Sequence, residues 1–361
     1  MTRQLGRVRE SRHDLRIGVA AQMYELPRHT GHGRVWTETL PRLGRLADVV
    51  VDDPAPSVWI MNGHNGDPDV RGPVVMVVYE VNWGTPEFDK DHAPGFVDWI
   101  APATEEAVRR ADHIVTGATS SKLQIIDAYG VPADRIHVVP FGVDLNVFHP
   151  QRKSAGSALL RERTGETRPY VLFAASLHPR KNLRSVRAAV TGLARRGFPH
   201  VLVVVAAPAS DRQDSSDLDL EAFAELPGYP GRLVRFVDPS DDDLAALMTG
   251  ADAVCQPSTS EGFGLTVLEA MATGAAVIVS NRGSLPEVVK RGGRVVDPTD
   301  TAVEDALVDI ITKPGATKRM RARALRRARG LTWERTAEGW LRVAALAARG
   351  AETHVGRSTT G

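Results

Sequence analysis

The chain has 361 residues and carries 45 Lys and Arg against 44 Asp and Glu, a formal net charge of +1, so its charge balance gives no argument for a nucleic-acid binder or a trap for acidic substrates. At roughly 150 residues per domain the length predicts two domains, each able to bury its own core. The lone cysteine, Cys255, excludes a disulfide framework. No apolar run approaches the roughly 20 residues that cross a bilayer, and the Arg-rich stretch Met1 to Asp14 lacks the apolar centre of a secretory signal; it reads as a disordered basic tail, with the cytoplasm as expected compartment.

From Leu15 onward, strands at Arg16 to Ala21, Asp48 to Val51, Val58 to Met61, Val74 to Tyr79, His113 to Thr116 and Ile136 to Val139 alternate with helical stretches such as Val35 to Leu46, Glu105 to Ala111 and Ser120 to Ala128. That alternation predicts a parallel sheet covered by helices. Thr30-Gly31-His32-Gly33 is expected in the loop before the first helix. It is no dinucleotide fingerprint, because Trp36 stands where a third glycine belongs. His29 and His32 have only a weak metal-ligand spacing. His64, in Asn62-Gly63-His64-Asn65-Gly66, follows a strand and reads equally as a cleft residue or a surface-loop histidine.

Past the Pro140-Phe141-Gly142-Val143-Asp144 stretch, where Gly142 by itself reads as a plain turn, the pattern repeats. Strands are expected near Val171 to Ala174, Leu202 to Ala206, Leu233 to Val237, Ala253 to Gln256, Ala276 to Val279 and Arg294 to Val296. The buried strand at Tyr170 to Leu177 runs into His178-Pro179-Arg180-Lys181-Asn182-Leu183 and a helix. Asp217-Leu218-Asp219 falls in a polar stretch, and Asp241-Asp242-Asp243 reads as the first turn of a helix capped by Ser240, so neither is taken as a metal site. Lys318 to Arg329 is an Arg-rich amphipathic helix; it reads as a solvated face with Met320, Ala324, Leu325 and Ala328 turned inward, ahead of a peripheral membrane contact. Another helix runs from Glu334 to Ala348.

The most informative stretch is Pro257 to Val289, PSTSEGFGLTVLEAMATGAAVIVSNRGSLPEVV. Ser258 to Gly264 is a glycine-rich loop, and Leu265 to Ala272 is an apolar helix stopped by Gly274. A strand therefore feeds a loop and then a helix. In a parallel sheet that junction lies at the carboxyl edge, where unpaired N–H groups and roughly half a positive charge await an anion, most simply a phosphate. Gly262 and Gly264 permit close backbone approach. The carboxylate of Glu261 suits sugar hydroxyls and not a phosphate, and Glu269, further along the helix, suits a second set such as those of a ribose.

This segment resembles the donor-site signature of the family 4 retaining glycosyltransferases, in the subtype with Pro-Arg-Lys-Asn. The resemblance implies an α/β GT-B fold: two facing Rossmann-like, doubly wound domains with a deep interdomain cleft. It implies a donor-binding domain over residues 151–333 and an acceptor-binding domain over 15–150 completed by 334–361. Carried over residue by residue, Glu261 contacts the transferred sugar and Glu269 the ribose, while Gly262, Phe263, Gly264 and Leu265 offer backbone contacts. Lys181, supported by Arg180, serves the diphosphate. Many relatives carry a further arginine five or six positions before the lysine, where this chain has Ser176 or Ala175. Gly31 and Gly33 resemble the family's first glycine-rich loop, and Gly142 its cleft-lining glycine. At Tyr79-Glu80 many relatives have His-Asp, so the role of that histidine is left unassigned.

The function implied is transfer of a mannose- or glucose-type hexose from a GDP- or UDP-linked sugar to a hydroxyl of a glycan, lipid-linked or small-molecule acceptor, with retention and with neither metal nor cofactor. A sugar-nucleotide epimerase of the same fold, or a catalytically silent nucleotide-sugar-binding subunit, are the alternatives. Base, sugar, acceptor and oligomeric state stay open.

Overall fold

The computed structural model describes residues 15–358 except 29, 54, 64–69, 84–94, 152, 207–232 and 238. The basic tail, His29, His64, Asp217 and Asp219 thus lie outside the described residues. By internal contacts the chain divides into two compact units. One is built from the residues up to Trp83, from Pro94 to Gly142 and from Trp333 on; the other includes Val143–Thr332.

In the first unit the strands are β1 (Arg16–Val19), β2 (Asp48–Val51), β3 (Val58–Asn62), β4 (Val74–Val77), β5 (His113–Thr116) and β6 (Ile136–Val138). They form one sheet in the order β2-β1-β3-β4-β5-β6, and every neighbouring pair is parallel. Up to Gly142 its described α-helices are α1 (Gly31–Leu43), α2 (Phe96–Arg110) and α3 (Thr119–Tyr129). Met61, Met76, Ile114 and Ile136 pack with Ala107, Val108 and Ile125 of α2 and α3 into one buried cluster. Strands covered on both faces carry unbroken Val and Ile runs, which is why no alternating polar pattern marks them.

The second unit has β7 (Tyr170–Ala174), β8 (Val201–Ala206), β9 (Leu233–Val237), β10 (Ala253–Gln256), β11 (Val277–Ser280) and β12 (Arg294–Val296). Its described helices are α4 (Lys153–Thr164), α5 (Leu183–Arg195), α6 (Asp241–Gly250), α7 (Leu265–Ala272), α8 (Leu285–Val289), α9 (Asp300–Thr312) and α10 (Pro314–Ala328). The sheet order is β12-β11-β10-β7-β8-β9, again all parallel. Strand order reverses where β7 meets β10. At such a reversal the connections of a doubly wound sheet pass to opposite faces, and the carboxyl ends of the strands there are where these sheets hold ligands.

A last helix, α11 (Trp333–Ser358), packs against α1 and the first sheet. Trp340 meets Trp36 edge-on with ring centroids 5.0 Å apart, Arg42 Nε donates to Glu334 at 2.6 Å, and the Thr336 hydroxyl donates to the Pro140 carbonyl at 2.9 Å. Gly339 lies so close to Val139 that an added Cβ would stand 2.3 Å from its Cγ1.

Several boundaries differ from expectation for identifiable reasons. β1 stops at Val19 because Ala21–Tyr24 turn into a short 3₁₀ helix, and β4 stops at Val77, leaving Tyr79 and Glu80 in the segment after the strand. Gly31 and Gly33 are not in a loop: they form the first turn of α1, whose start is capped by Thr30 Oγ1 accepting from Gly33 N at 3.0 Å. Two glycines masked a helix start that the capping threonine announces. α2 begins nine residues before Glu105 despite Pro102 in its interior. On α10 the inward residues are as expected, but Arg321 and Arg327 are not solvated: they donate to the carbonyls of Asp252 and Val288 at 3.0 and 3.2 Å.

At the amino edge of β10, Asp252 accepts from His200 Nε2 at 3.0 Å and Lys153 Nζ at 2.5 Å. Burial pushes its carboxyl up, but these two partners outweigh burial and hold it down at about 2. A depressed carboxylate stabilises the fold above its unfolded titration and loses that contribution as pH falls through the folded value. Stability should therefore decline by about 1–2 kcal/mol between about pH 4 and pH 2 on this account. Urea unfolding of Asp252→Asn should show a loss of similar size at neutral pH and a flatter acid dependence; a variant as acid-sensitive as the wild type would exonerate this carboxylate.

Candidate functional site

The site grows out of the β7/β10 reversal. β7 leads into the turn Pro179–Lys181, and Asn182 follows in the left-handed region at φ 58°, a conformation asparagine tolerates better than most residues. Its Oδ1 caps α5 by accepting from Ser185 N at 3.4 Å. Its Nδ2 donates to the carbonyls of Pro257 at 3.1 Å and Pro298 at 3.0 Å. One side chain thus ties together the loops that follow β7, β10 and β12. The first two are also laced directly: Thr259 N donates to the Arg180 carbonyl at 2.8 Å, and Arg180 Nη1 donates to the Ser260 carbonyl at 3.3 Å.

This lacing brings Lys181 Nζ to 2.6 Å from Glu261 Oε2, with the two side chains only 10% and 12% exposed. Gln256, the last residue of β10, donates its Nε2 to the same oxygen at 3.0 Å. Burial raises the Glu261 carboxyl, but the charges of Lys181 and Arg180 and the hydrogen bonds from Lys181 and Gln256 prevail, so the group is held below its ordinary value and is anionic at neutral pH.

A third loop, after β11, fixes the backbone beneath that carboxylate. Ser284 donates to the Glu261 carbonyl with both its N–H and its hydroxyl, each at 3.1 Å. Gly283, at φ 55°, packs so tightly that an added Cβ would lie 2.4 Å from the same carbonyl oxygen. Gly264, at φ 90°, opens α7. Gly262, Phe263 and Gly264 are buried, Leu265 is half-buried, and Glu269 is buried on α7. A helix N-terminus, a cationic pair and a buried carboxylate therefore share one end of the sheet, the combination that suits a phosphate beside hydroxyl groups.

The structure brings together Lys181, Arg180, Glu261 and the Gly262–Leu265 turn. Ser176, which occupies the place of the relatives' extra arginine, is exposed. Gln256, Gly283, Ser284 and the bridging role of Asn182 escaped sequence reading. A polar residue closing the apolar strand Ala253–Gln256 was a visible signal for the first; the others depend on contacts between loops far apart in the chain.

In the first unit, Gly33 approaches the Pro27 carbonyl so closely that a Cβ would stand 2.0 Å from its oxygen. Tyr79 is buried and stacks on His32 of α1, ring centroids 4.0 Å apart and planes at 17°. Phe141 lies 5.8 Å from Tyr79 on another side, and burial pushes the Tyr79 phenol well up. Glu80 accepts from Asn82 Nδ2 at 2.5 Å, and Asn82 Oδ1 accepts from Gln124 at 3.3 Å. Gly142 is the buried last residue before the chain enters the second unit. A histidine is thus present beside Tyr79 after all, delivered by a helix and not by β4.

Among the described residues no group of three or more His, Cys, Asp or Glu is placed to hold a metal. No described helix is long and apolar enough to cross a membrane. Asp241, Asp242 and Asp243 form the first turn of α6, capped by Ser240.

Comparison with known proteins converges on this unit. The glycosyl transferases group 1 family matches residues 160–327, which include every element of the β7/β10 site. Residues 160–327 are similar to the group 1 glycosyl transferases. A D-inositol 3-phosphate glycosyltransferase of Nocardia farcinica is 34% identical over 243 residues, 66% of this chain and 53% of that protein. One from Nocardioides sp. is 34% identical over 253 residues, 66% of this chain and 54% of that protein. The chain thus spans about half the length of the curated relatives it matches. Among solved structures, sucrose-phosphate synthase of Thermosynechococcus elongatus has a TM-score of 0.72 at 16% identity, covering 90% of this chain and 96% of that one. Anabaena Alr3699/HepE in complex with UDP-glucose has a TM-score of 0.69 at 17% identity, covering 91% and 98%. The fold is of the GT-B type, with two parallel six-stranded sheets flanked by helices.

Gly283→Ala tests the third loop. Its methyl group would enter the space of the Glu261 carbonyl from a backbone conformation unfavourable to alanine, a cost on the order of 1–3 kcal/mol. Chemical denaturation should show that loss; wild-type stability would mean that the loop yields without cost.

Proposed function

We propose that this chain transfers a mannose- or glucose-type hexose from a nucleotide-diphosphate sugar to an acceptor hydroxyl, with retention of configuration. The observation that carries the reading is the buried Lys181–Glu261 pair at the point of strand reversal, beside the opening of α7. Departure of the nucleoside diphosphate builds negative charge on the leaving phosphate and positive charge at the anomeric carbon. Lys181, Arg180 and the α7 N-terminus stabilise the first. When Lys181 turns to the diphosphate, Glu261 is left to accept hydrogen bonds from the sugar hydroxyls. Glu269 binds the ribose. These residues supply the cationic charge themselves, so the reading invokes no metal.

The departing phosphate serves as the base for an acceptor hydroxyl on the same face, which gives retention without a protein nucleophile. Complexes of HepE with UDP and with UDP-glucose make UDP-glucose the first donor to try, ahead of GDP-mannose. The named acceptor of the curated relatives, D-inositol 3-phosphate, makes a phosphorylated polyol the first acceptor class. The carboxyl edge of the first sheet, with Gly31, Gly33, Tyr79 and Glu80, takes the acceptor in this reading.

Lys181→Ala should lower turnover at saturating donor by on the order of 100-fold while leaving the fold intact, the effect of removing one preorganised charge from a developing oxyanion. Wild-type turnover would remove Lys181 from the mechanism. The two glutamates should separate: calorimetry should find that Glu269→Ala binds the bare nucleoside diphosphate more weakly, whereas Glu261→Gln binds it at least as tightly as the wild type, because Lys181 is released from its partner, yet transfers sugar poorly. Equal losses of affinity would contradict the assignment. Proton NMR of the fresh product from an α-linked donor should show an α linkage; a β linkage would sink the retaining mechanism.

A further inference from the structure

Among the described residues Glu261 Oε2 accepts from two side chains, Lys181 Nζ at 2.6 Å and Gln256 Nε2 at 3.0 Å. They differ in kind. Lysine is a charged group on a flexible stem with three rotatable donors. Gln256 closes β10, is registered opposite Val279 of β11, and is only 4% exposed. Its amide orientation is set by the contact itself, since the flipped amide would turn an acceptor oxygen toward a carboxylate oxygen. Its other amide atom, Oε1, is buried with no hydrogen-bond partner among the described residues. A buried acceptor left without a partner is costly, and an apolar residue ending this apolar strand would avoid the cost. The fold alone gives no reason for a glutamine here.

We propose that Gln256 is a positioning residue of the donor site, holding the Glu261 carboxylate in place when Lys181 leaves it for the diphosphate. The inference rests on the functional reading above. Lys181 cannot serve the leaving phosphate and stay closed on Glu261 with its full charge, so donor binding strips a buried carboxylate of its nearest cation. Of the other charged groups acting on Glu261, Arg180 remains; Gly283 and Ser284, facing its backbone from the loop after β11, carry no charge. A neutral donor fixed at the end of a strand is the right complement. It keeps the carboxylate anionic and oriented without cancelling the charge that is to meet the sugar hydroxyls, and it does not compete for the diphosphate as a second lysine would.

The test compares wild type, Gln256→Leu and Gln256→Glu, using UDP or GDP, whichever binds the wild type more tightly, as the calorimetric probe, and sugar transfer across pH at saturating donor. Gln256→Leu should keep the affinity for the diphosphate within about threefold, showing that fold and Lys181 are intact, and transfer about tenfold more slowly, the scale of one lost hydrogen bond to a charged group. The acid limb of its rate profile should move to higher pH, because Glu261 has lost a donor that favours its charged form. Gln256→Glu should be slow at neutral pH, where two carboxylates face each other, and recover toward the wild-type rate as pH falls and the introduced carboxyl gains a proton that it can donate to Glu261. An unmoved acid limb in Gln256→Leu, or a deficit in Gln256→Glu that does not change with pH, would overturn the inference. So would loss of diphosphate binding in both variants, which would make Gln256 a structural residue. Failure of the wild type to transfer sugar would instead overturn the functional reading.

Discussion

A buried ion pair between two loops is the constraint around which the loops at the carboxyl edge of the second sheet are arranged. Removing a lysine and a glutamate from water costs several kcal/mol per ion, and their attraction offsets this only with close geometry and further hydrogen bonds. Both conditions are met: the contact is 2.6 Å, and Gln256 donates to the same carboxylate oxygen. The geometry depends in turn on Asn182, which fastens three loops through one side chain, and on Gly283 and Ser284, which set the carbonyl under Glu261. A pair of this kind is a poor way to stabilise a fold. Its natural reading is a charge held ready, with a partner that can be exchanged for a ligand at little reorganisation.

The loops at the carboxyl edge of the second sheet were legible in the sequence because their pattern is local. Glu261, Gly262, Phe263, Gly264 and Leu265 lie within one turn, and a helix N-terminus can be read from a glycine-rich loop followed by apolar helix formers. Lys181 was found from its place after a buried strand. Its meeting with Glu261 follows from strand order: β7 and β10 are neighbours although β8 and β9 intervene in the chain. Gln256 and Ser284 were missed because their roles consist of contacts to a residue elsewhere in the sequence, and periodicity carries no trace of such contacts.

The first unit was read less well. Gly31 and Gly33 suggested a loop, and the structure makes them the first turn of a helix, since the Thr30 cap and the close approach to Pro27 overrule glycine's weak helix propensity. Tyr79-Glu80 looked like the loss of a histidine. His32 lies stacked on Tyr79 from another element, an arrangement that no linear motif records.

The path of the chain also bears on how the molecule is made. The chain leaves the first unit at Gly142 and returns to it at Trp333, where Val143 N donates to the Leu331 carbonyl at 3.1 Å and Val143 pairs with Thr332. Trp36, fully buried, owes part of its cover to Trp340. During synthesis, which delivers the amino end first, the first sheet emerges long before the helix that shields this tryptophan. The second unit, though made later, has all its described strands in one continuous stretch and can close first. The nascent chain therefore carries an exposed apolar face on its earlier half until α11 is released, and that interval is where a chaperone would find it.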